Sequence, residues 1–114
     1  MSTLSLVRSF RRHYGLSQRE LALLLDLHQA NVSRLEDDPE AGTLDSAFAL
    51  EVLFGIQPSL VFRTLYKNVE EAVMRRAARL DKKLRGKTDP ASRSQQQLLA
   101  DMVDRARPAD GEKP

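Results

Sequence analysis

Apolar residues in the first 66 positions recur at helical spacing in five short bursts, three of them closed by a residue that stops a helix. Leu6, Val7 and Phe10 are the apolar positions of a segment from Leu4 to about His13, with Arg8, Arg11 and Arg12 between them. Gly15 ends it, since glycine readily takes the left-handed backbone of a helix C-terminus. Ser17 opens the next segment, and Glu20 three residues on completes a capping box, in which the two residues satisfy each other's free amides. Leu21, Ala22 and Leu25 form the inward stripe of that second helix. A third runs from about His28 to Leu35 and buries Val32 and Leu35; Asp37-Asp38-Pro39 halts it, because proline disfavours helical geometry in the residue before it. Thr43 caps a fourth, Leu44 to Phe54, with Leu44, Ala47, Phe48, Leu50 and Leu53 apolar and Gly55 closing it. Gln57-Pro58-Ser59 starts a fifth, with Leu60, Val61, Phe62 and Leu65 to pack back. Five such helices can enclose a core, with Phe10, Phe48, Phe54 and Phe62 as its large members.

Beyond Tyr66 the pattern lengthens. Val69, Val73, Ala77, Leu80 and Leu84 follow one face of a single long helix, with charges elsewhere. The run Gly86 to Pro90 breaks it. A weaker helix, about Ser94 to Ala106, carries Leu98, Leu99, Met102 and Val103. The expected organisation is therefore all-α. Residues 1–66 form a five-helix domain, 67–106 an amphipathic helical extension, and 107–114 a disordered tail. The apolar stripe of the extension needs cover. Self-association supplies it most simply, which makes a homodimer the first expectation; folding back on its own domain is the alternative.

Composition narrows the function. With 41% hydrophobic and 30% charged residues in 114, the chain is an ordinary globular one. It has no cysteine, so neither disulfides nor a Cys-based zinc site can form. No apolar run approaches the roughly 20 residues that span a bilayer, and the N-terminus lacks a signal-peptide pattern; a cytoplasmic protein with no membrane partner is expected. His13 and His28 are the only histidines and do not stand at metal-ligand spacing. Phosphate-cradling loops and nucleophile motifs are missing as well, so neither an enzyme nor a cofactor is expected. Charge is unevenly spread. Residues 1–66 hold six arginines against eight acids, and residues 67–114 hold 12 Lys and Arg against eight acids. Within Arg75–Lys87 seven basic residues face Asp81 alone. Such a cluster can track phosphates, or it can be the solvated face of a helix.

The stretch Ser17–Glu36, SQRELALLLDLHQANVSRLE, carries the candidate chemistry. Two short helices joined by a tight turn can hold the second in the major groove of double-stranded DNA, where base edges show distinct donor and acceptor patterns. The second helix begins His28-Gln29-Ala30-Asn31. Gln29 and Asn31 can pair bidentately with adenine, Ala30 can touch a thymine methyl, and Arg34 can reach guanine. Ser33 is small enough for close approach.

At these residues the chain resembles the XRE, or lambda-repressor/Cro-like, helix–turn–helix family, over roughly Leu4 to Leu65. Arg11 lies four residues before Gly15, and Leu16-Ser17-Gln18, Leu21-Ala22 and Val32-Ser33-Arg34-Leu35-Glu36 follow in the family's order and spacing. Leu53-Phe54-Gly55-Ile56 with Pro58, Ser59 and Phe62 is similar to its fourth and fifth helices. The resemblance implies that Gln18 contacts the DNA backbone. It implies that His28, Gln29, Ala30 and Arg34 read bases, with Asn31 and Ser33 alongside. It also implies a pair between Arg11 and Glu36, where the residues alone would equally allow two independent surface charges. Three positions depart from the family's pattern. Asp26 stands where the turn usually has glycine. Leu23 and Leu24 replace polar residues, so one of them is expected to be exposed. Asp37, Asp38 and Glu40 form an acidic loop that would repel phosphates if it faced them.

These readings combine into a bacterial or phage transcriptional regulator, expected to repress by binding a palindromic operator as a dimer. Two alternatives use the same fold. In one, the chain is a DNA-binding antitoxin whose residues 67–114 neutralise a toxin, a protein partner held chiefly through 67–106. In the other, it is a protein-interaction adaptor, to which Leu23, Leu24 and the acidic loop would belong.

Overall fold

The structure is a computed structural model that describes residues 3–107, with side chains from Leu6 onward. Of the expected disordered tail, all but Arg107 lies outside the described residues. Within them the chain is helical without strands: α1 Thr3–His13, α2 Gln18–Leu25, α3 Gln29–Asp37, a single 3-10 turn Pro39–Ala41, α4 Leu44–Phe54, α5 Pro58–Val61, α6 Arg63–Leu84 and α7 Pro90–Ala106. It divides into two compact units, the first ending at Asn68 and the second beginning at Val69.

In the first unit Val7, Leu21, Val32, Leu50 and Val61 are fully buried and join α1 to α5 in one core. Burying each such side chain stabilises by roughly 1.5–3 kcal/mol, and Leu25, Leu35, Ala47 and Ile56 extend the same core. The helix ends are those the sequence specifies. Ser17 accepts from the Glu20 amide at 3.0 Å while the Glu20 carboxylate accepts from the Ser17 amide at 2.8 Å. Gly15 takes a left-handed φ of 71°. There the Leu16 amide reaches back to the Arg11 carbonyl at 3.0 Å, and the Gly15 amide to that of Arg12. Thr43 and Ser46 cap α4 in the same reciprocal way, and Gly55 closes it.

Three details differ from the sequence reading. Phe48 is not a core residue: its side chain is about half exposed (52%), as are Leu44 and, more fully, Val52 on the same side of α4. That helix is apolar on both sides, and Ala47 and Leu50 take the interior where α4 meets α2 and α5. The larger rings collect instead at the end of α1, where Phe10 and Tyr14 both stack on Phe54, with centroids 5.5 and 6.0 Å apart. The third helix starts one residue later than expected, with His28 as its extended N-cap, and continues to Asp37. The fifth is a single turn, Pro58–Val61; Phe62 interrupts it before α6, leaving Leu60 and Leu65 exposed.

The second unit, residues 69–107, pairs the later part of α6 with α7. Leu84 and Leu99 are its buried apolar side chains among the described residues. Gln96 on α7 donates to the carbonyls of Leu84 (2.9 Å) and Lys87 (3.2 Å), satisfying the open end of α6. The helix α7 begins at Pro90, four residues before the expected Ser94. Asp89 and Pro90, read as a break, are its start signal. Proline loses nothing at the first helical position, and the Asp89 carboxylate accepts from the Ser92 amide and hydroxyl at 3.1 and 2.7 Å. Those two bonds from Ser92 hold the Asp89 carboxyl below the usual aspartate range.

Candidate nucleic-acid interface

The relation between α2 and α3 is set by a turn and by a buried charge. At the turn Asp26 adopts the left-handed conformation, φ 56° and ψ 50°. The Leu27 amide then bonds the Ala22 carbonyl at 2.9 Å, and the Asp26 amide that of Leu23 at 3.3 Å. This pair of bonds ends α2 with a Schellman motif and lets the chain re-enter a helix three residues later. Aspartate substitutes for the usual glycine because its short polar side chain tolerates this region better than most.

The charge is Glu36, with no solvent exposure, on the inner side of α3. Arg11 Nε donates to its Oε2, and Arg11 Nη2 to Oε1 at 3.4 Å. Gln18 Nε2 donates to Oε1 at 2.9 Å, and Arg8 Nε approaches the same oxygen at 3.4 Å. Arg11, itself 9% exposed, also donates from Nη1 to the Leu16 carbonyl at 2.9 Å. One carboxylate on α3 thus gathers two side chains of α1 and one of α2. Burial pushes the Glu36 carboxyl up most strongly of any single influence. Bonds from Arg11 and Gln18, the Arg11 charge and the Arg8 bond together outweigh it, and the group sits below the usual glutamate range. The Arg11–Glu36 partnership is therefore an interior one, not two independent surface charges.

With Val32, Leu35 and Glu36 turned inward, α3 leaves Gln29, Ala30, Ser33 and Arg34 exposed on its opposite side. His28 stands exposed at the N-cap and makes no side-chain capping bond. Asn31 is half-buried beside Arg34, at a cleft lined also by Leu27, Leu35, Gly42 and Thr43. Gln18 is half-buried at the first position of α2, and one of its amide hydrogens is committed to Glu36. Its carbonyl oxygen and second amide hydrogen remain for another partner. Seven residues singled out from the sequence thus fall in two groups: six along or beside one face of α3, and Gln18 in the polar cluster behind it.

Each acid of the 37–40 loop has a partner inside the first unit. Asp37 bonds Arg8 Nη2 at 3.1 Å. Asp38 accepts from the Glu40 amide at 3.2 Å and so caps the 3-10 turn. Glu40 accepts from the amides of Thr64 (2.6 Å) and Leu65 (3.3 Å), serving as a cap for α6 from 24 residues away in sequence. Gly42 was not singled out from the sequence. Its φ is an ordinary −79°, yet a Cβ there would lie 2.6 Å from Ser46 Oγ and 2.8 Å from Leu35 Cδ1. A side chain here would force Ser46 or Leu35 to shift, so glycine suits the close passage of the loop behind α3. Leu23, 80% exposed, and Leu24, about half exposed, project from α2 without a place in the core.

A capped helix, a left-handed turn and a second helix presenting polar side chains on its free face together define a DNA-binding helix–turn–helix domain. Residues 7–61 match a protein-family model described as Helix-turn-helix. These residues form a domain of the XRE, lambda-repressor-like type, which is a DNA-binding domain of transcriptional regulators and not an enzyme family. No curated protein and no solved structure matches the chain. No helix among the described residues is long and apolar enough to cross a membrane.

Proposed function

We propose that the chain is a sequence-specific repressor that binds a palindromic operator in double-stranded DNA as a homodimer. The observation that carries this reading is the exposed face of α3, held rigidly from behind by Glu36. Gln29, Asn31 and Arg34 supply the bidentate donors and acceptors that distinguish base pairs in the major groove. Ala30 and Ser33 allow close approach, His28 stands at the helix N-terminus nearest the bases, and Gln18 contacts the phosphate backbone through the polar atoms that Glu36 leaves open. Occlusion of a promoter is the mode of repression, and a DNA target keeps the working protein with the chromosome in the cytoplasm.

Dimerisation is assigned to the helical extension, residues 67–106, for a physical reason. Segments below about 40 residues without disulfides or metals seldom bury enough surface to stand alone. The second unit buries Leu84 and Leu99 and leaves Val69, Val73, Leu80, Leu98 and Val103 substantially exposed. A second copy covers such a stripe with like residues. A twofold dimer then presents two α3 helices about one turn of DNA apart (~34 Å), which is why the operator is palindromic.

The test is selection of bound sequences from a random duplex pool, followed by binding of the Arg34→Ala variant to the selected operator and to single-base changes in it. Loss of discrimination at one position, of about 1–3 kcal/mol, supports base reading by Arg34. Equal weakening on all sequences would assign Arg34 to phosphate, and a pool with no enriched sequence would overturn the reading.

A further inference from the structure

The later part of α6 carries a surface that the helix–turn–helix does not account for. Arg75, Arg76, Arg79, Lys82 and Lys83 are all exposed and recur at the spacing of one helical face. Asp81, the acid in this segment, lies apart from them, lining the cleft that α6 makes with α7. Among the described residues none of the five cations belongs to an ion pair. Glu71, one turn before Arg75, is not within pairing distance either.

This arrangement differs from an ordinary solvated face. Such faces usually alternate sign, so that a cation finds an acid three or four residues away. Here Arg75 and Arg79, Arg79 and Lys83, Arg76 and Arg79, and Arg79 and Lys82 put like charges at those very spacings, and each such pair disfavours the helix. The helix dipole favours Lys82 and Lys83, which stand in the last turn. It does not reach Arg75, Arg76 and Arg79. A row of cations that repel one another along a helix is relieved by a polyanion laid against it.

We propose that the Arg75–Lys83 face of α6 is a second DNA-binding surface, which holds the phosphate backbone of duplex DNA without reading its sequence. The inference rests on the DNA-binding reading above and names the partner by charge. Evenly spaced phosphates match a row of cations with no interleaved acid, and the phosphate term in DNA binding depends on charge, not on base identity.

The test is fluorescence anisotropy of the full chain on the selected operator and on a random-sequence duplex, at salt concentrations from 50 to 200 mM. Each phosphate neutralised contributes about 0.9 to the slope of log K against log salt, so five contacts would contribute about 4.5. Over that range five contacts correspond to roughly 500-fold in affinity. Replacing all five residues by glutamine, which keeps helix propensity, is expected to flatten the slope by at least about 2 on both duplexes while discrimination between them persists. The variant R75K/R76K/R79K is expected to keep the wild-type slope, because it keeps the charge; R75Q/R79Q, expected to flatten the slope by about 1.8, reports on the surface should the fivefold glutamine variant lose its circular dichroism. A smaller flattening, or a slope that the lysine variant alters as much, overturns the proposal and leaves base reading by α3 untouched. Wild-type protein that binds no duplex overturns both readings. Stripe-dependent binding to phosphatidylserine vesicles with an unchanged duplex slope would assign the face to a membrane and likewise overturn the proposal.

Discussion

Removing Arg11 would expose how much of the domain depends on Glu36. In Arg11→Ala the Glu36 carboxylate, fully buried in the wild type, keeps only Arg8 at 3.4 Å and Gln18 at 2.9 Å as partners. Breaking a buried ion pair from one side costs about 3–5 kcal/mol, because the remaining charge has neither water nor a full partner. A unit of this size has a total stability of roughly 3–10 kcal/mol at 0.05–0.15 kcal/mol per residue, so the variant should be near unfolding in buffer. Both tyrosines, Tyr14 and Tyr66, lie in the first unit, so tyrosine fluorescence during urea titration reports on that unit specifically. The pH dependence gives a sharper signature. In the wild type the folded Glu36 titrates below its unfolded value. Its contribution is thus present above the unfolded pKa of about 4.3 and is lost as pH falls through the lower folded value. In Arg11→Ala the bond and charge of Arg11 no longer lower the folded pKa while burial still raises it, so the stability drawn from an ionised Glu36 shrinks. The gap between the two proteins should therefore narrow below about pH 4, to the roughly 1–3 kcal/mol left by the missing bond from Arg11 to the Leu16 carbonyl. The double variant Arg11→Met with Glu36→Leu should be close to neutral at pH 7, since apolar replacement of both partners removes the desolvation cost together with the attraction. A loss under about 1 kcal/mol at pH 7, or a gap that does not change with pH, would refute a buried pair.

Three further outcomes are expected. Asp26→Gly should stabilise the first unit by about 0.5–1 kcal/mol in the same urea titration, because it relieves a left-handed residue, and Asp26→Val should destabilise it by more. Gly42→Ala should cost about 1–3 kcal/mol through overpacking against Ser46 and Leu35, although the backbone there suits any residue; an unchanged midpoint would mean that the loop moves freely. Deleting residues 67–114 should give a monomer in sedimentation and weaken binding to a palindrome far more than to a half-site; a truncated protein that remains dimeric would remove the dimer assignment from this segment.

Helix boundaries were legible wherever a local chemical signal marked them. Ser17 with Glu20, Thr43, Gly15 and Gly55 each act within a turn of their own position, and the structure uses all four as caps or stops. Interior assignment was legible where one helix face is clearly polar, as in α3. It was not legible in α4, where Leu44, Phe48 and Val52 are as apolar as Ala47 and Leu50, so periodicity cannot choose a side. Asp89-Pro90 misled for a different reason: the same pair can end one helix or start another, and the tertiary contact of Gln96 with Leu84 decides. The roles of Asp38, Glu40 and Gly42 were hidden because they depend on partners distant in sequence or on space behind α3. The exposed face of α3 followed directly from the buried positions of Val32, Leu35 and Glu36 on its other side.

The acidic loop also bears on how the domain can hold DNA. Asp37 and Glu36 occupy Arg8 and Arg11, so two of the cations nearest the helix–turn–helix serve the fold. Arg12, Arg19 and Arg34 are exposed and, among the described residues, in no ion pair. If all three reached phosphates, a single copy would show a salt slope of about −2.7, and its affinity would fall roughly 40-fold between 50 and 200 mM salt. Slopes near −10 belong to proteins that neutralise many more phosphates. A recognition unit that commits two of its arginines to packing gains from attraction elsewhere, from a second copy, from the cations of α6, or from both. Salt slopes of the full chain, of its glutamine-substituted α6 variant and of the truncated protein separate these contributions. A truncated protein as salt-sensitive as the full chain would mean that the cations of the first unit suffice and that the extension serves something other than DNA affinity.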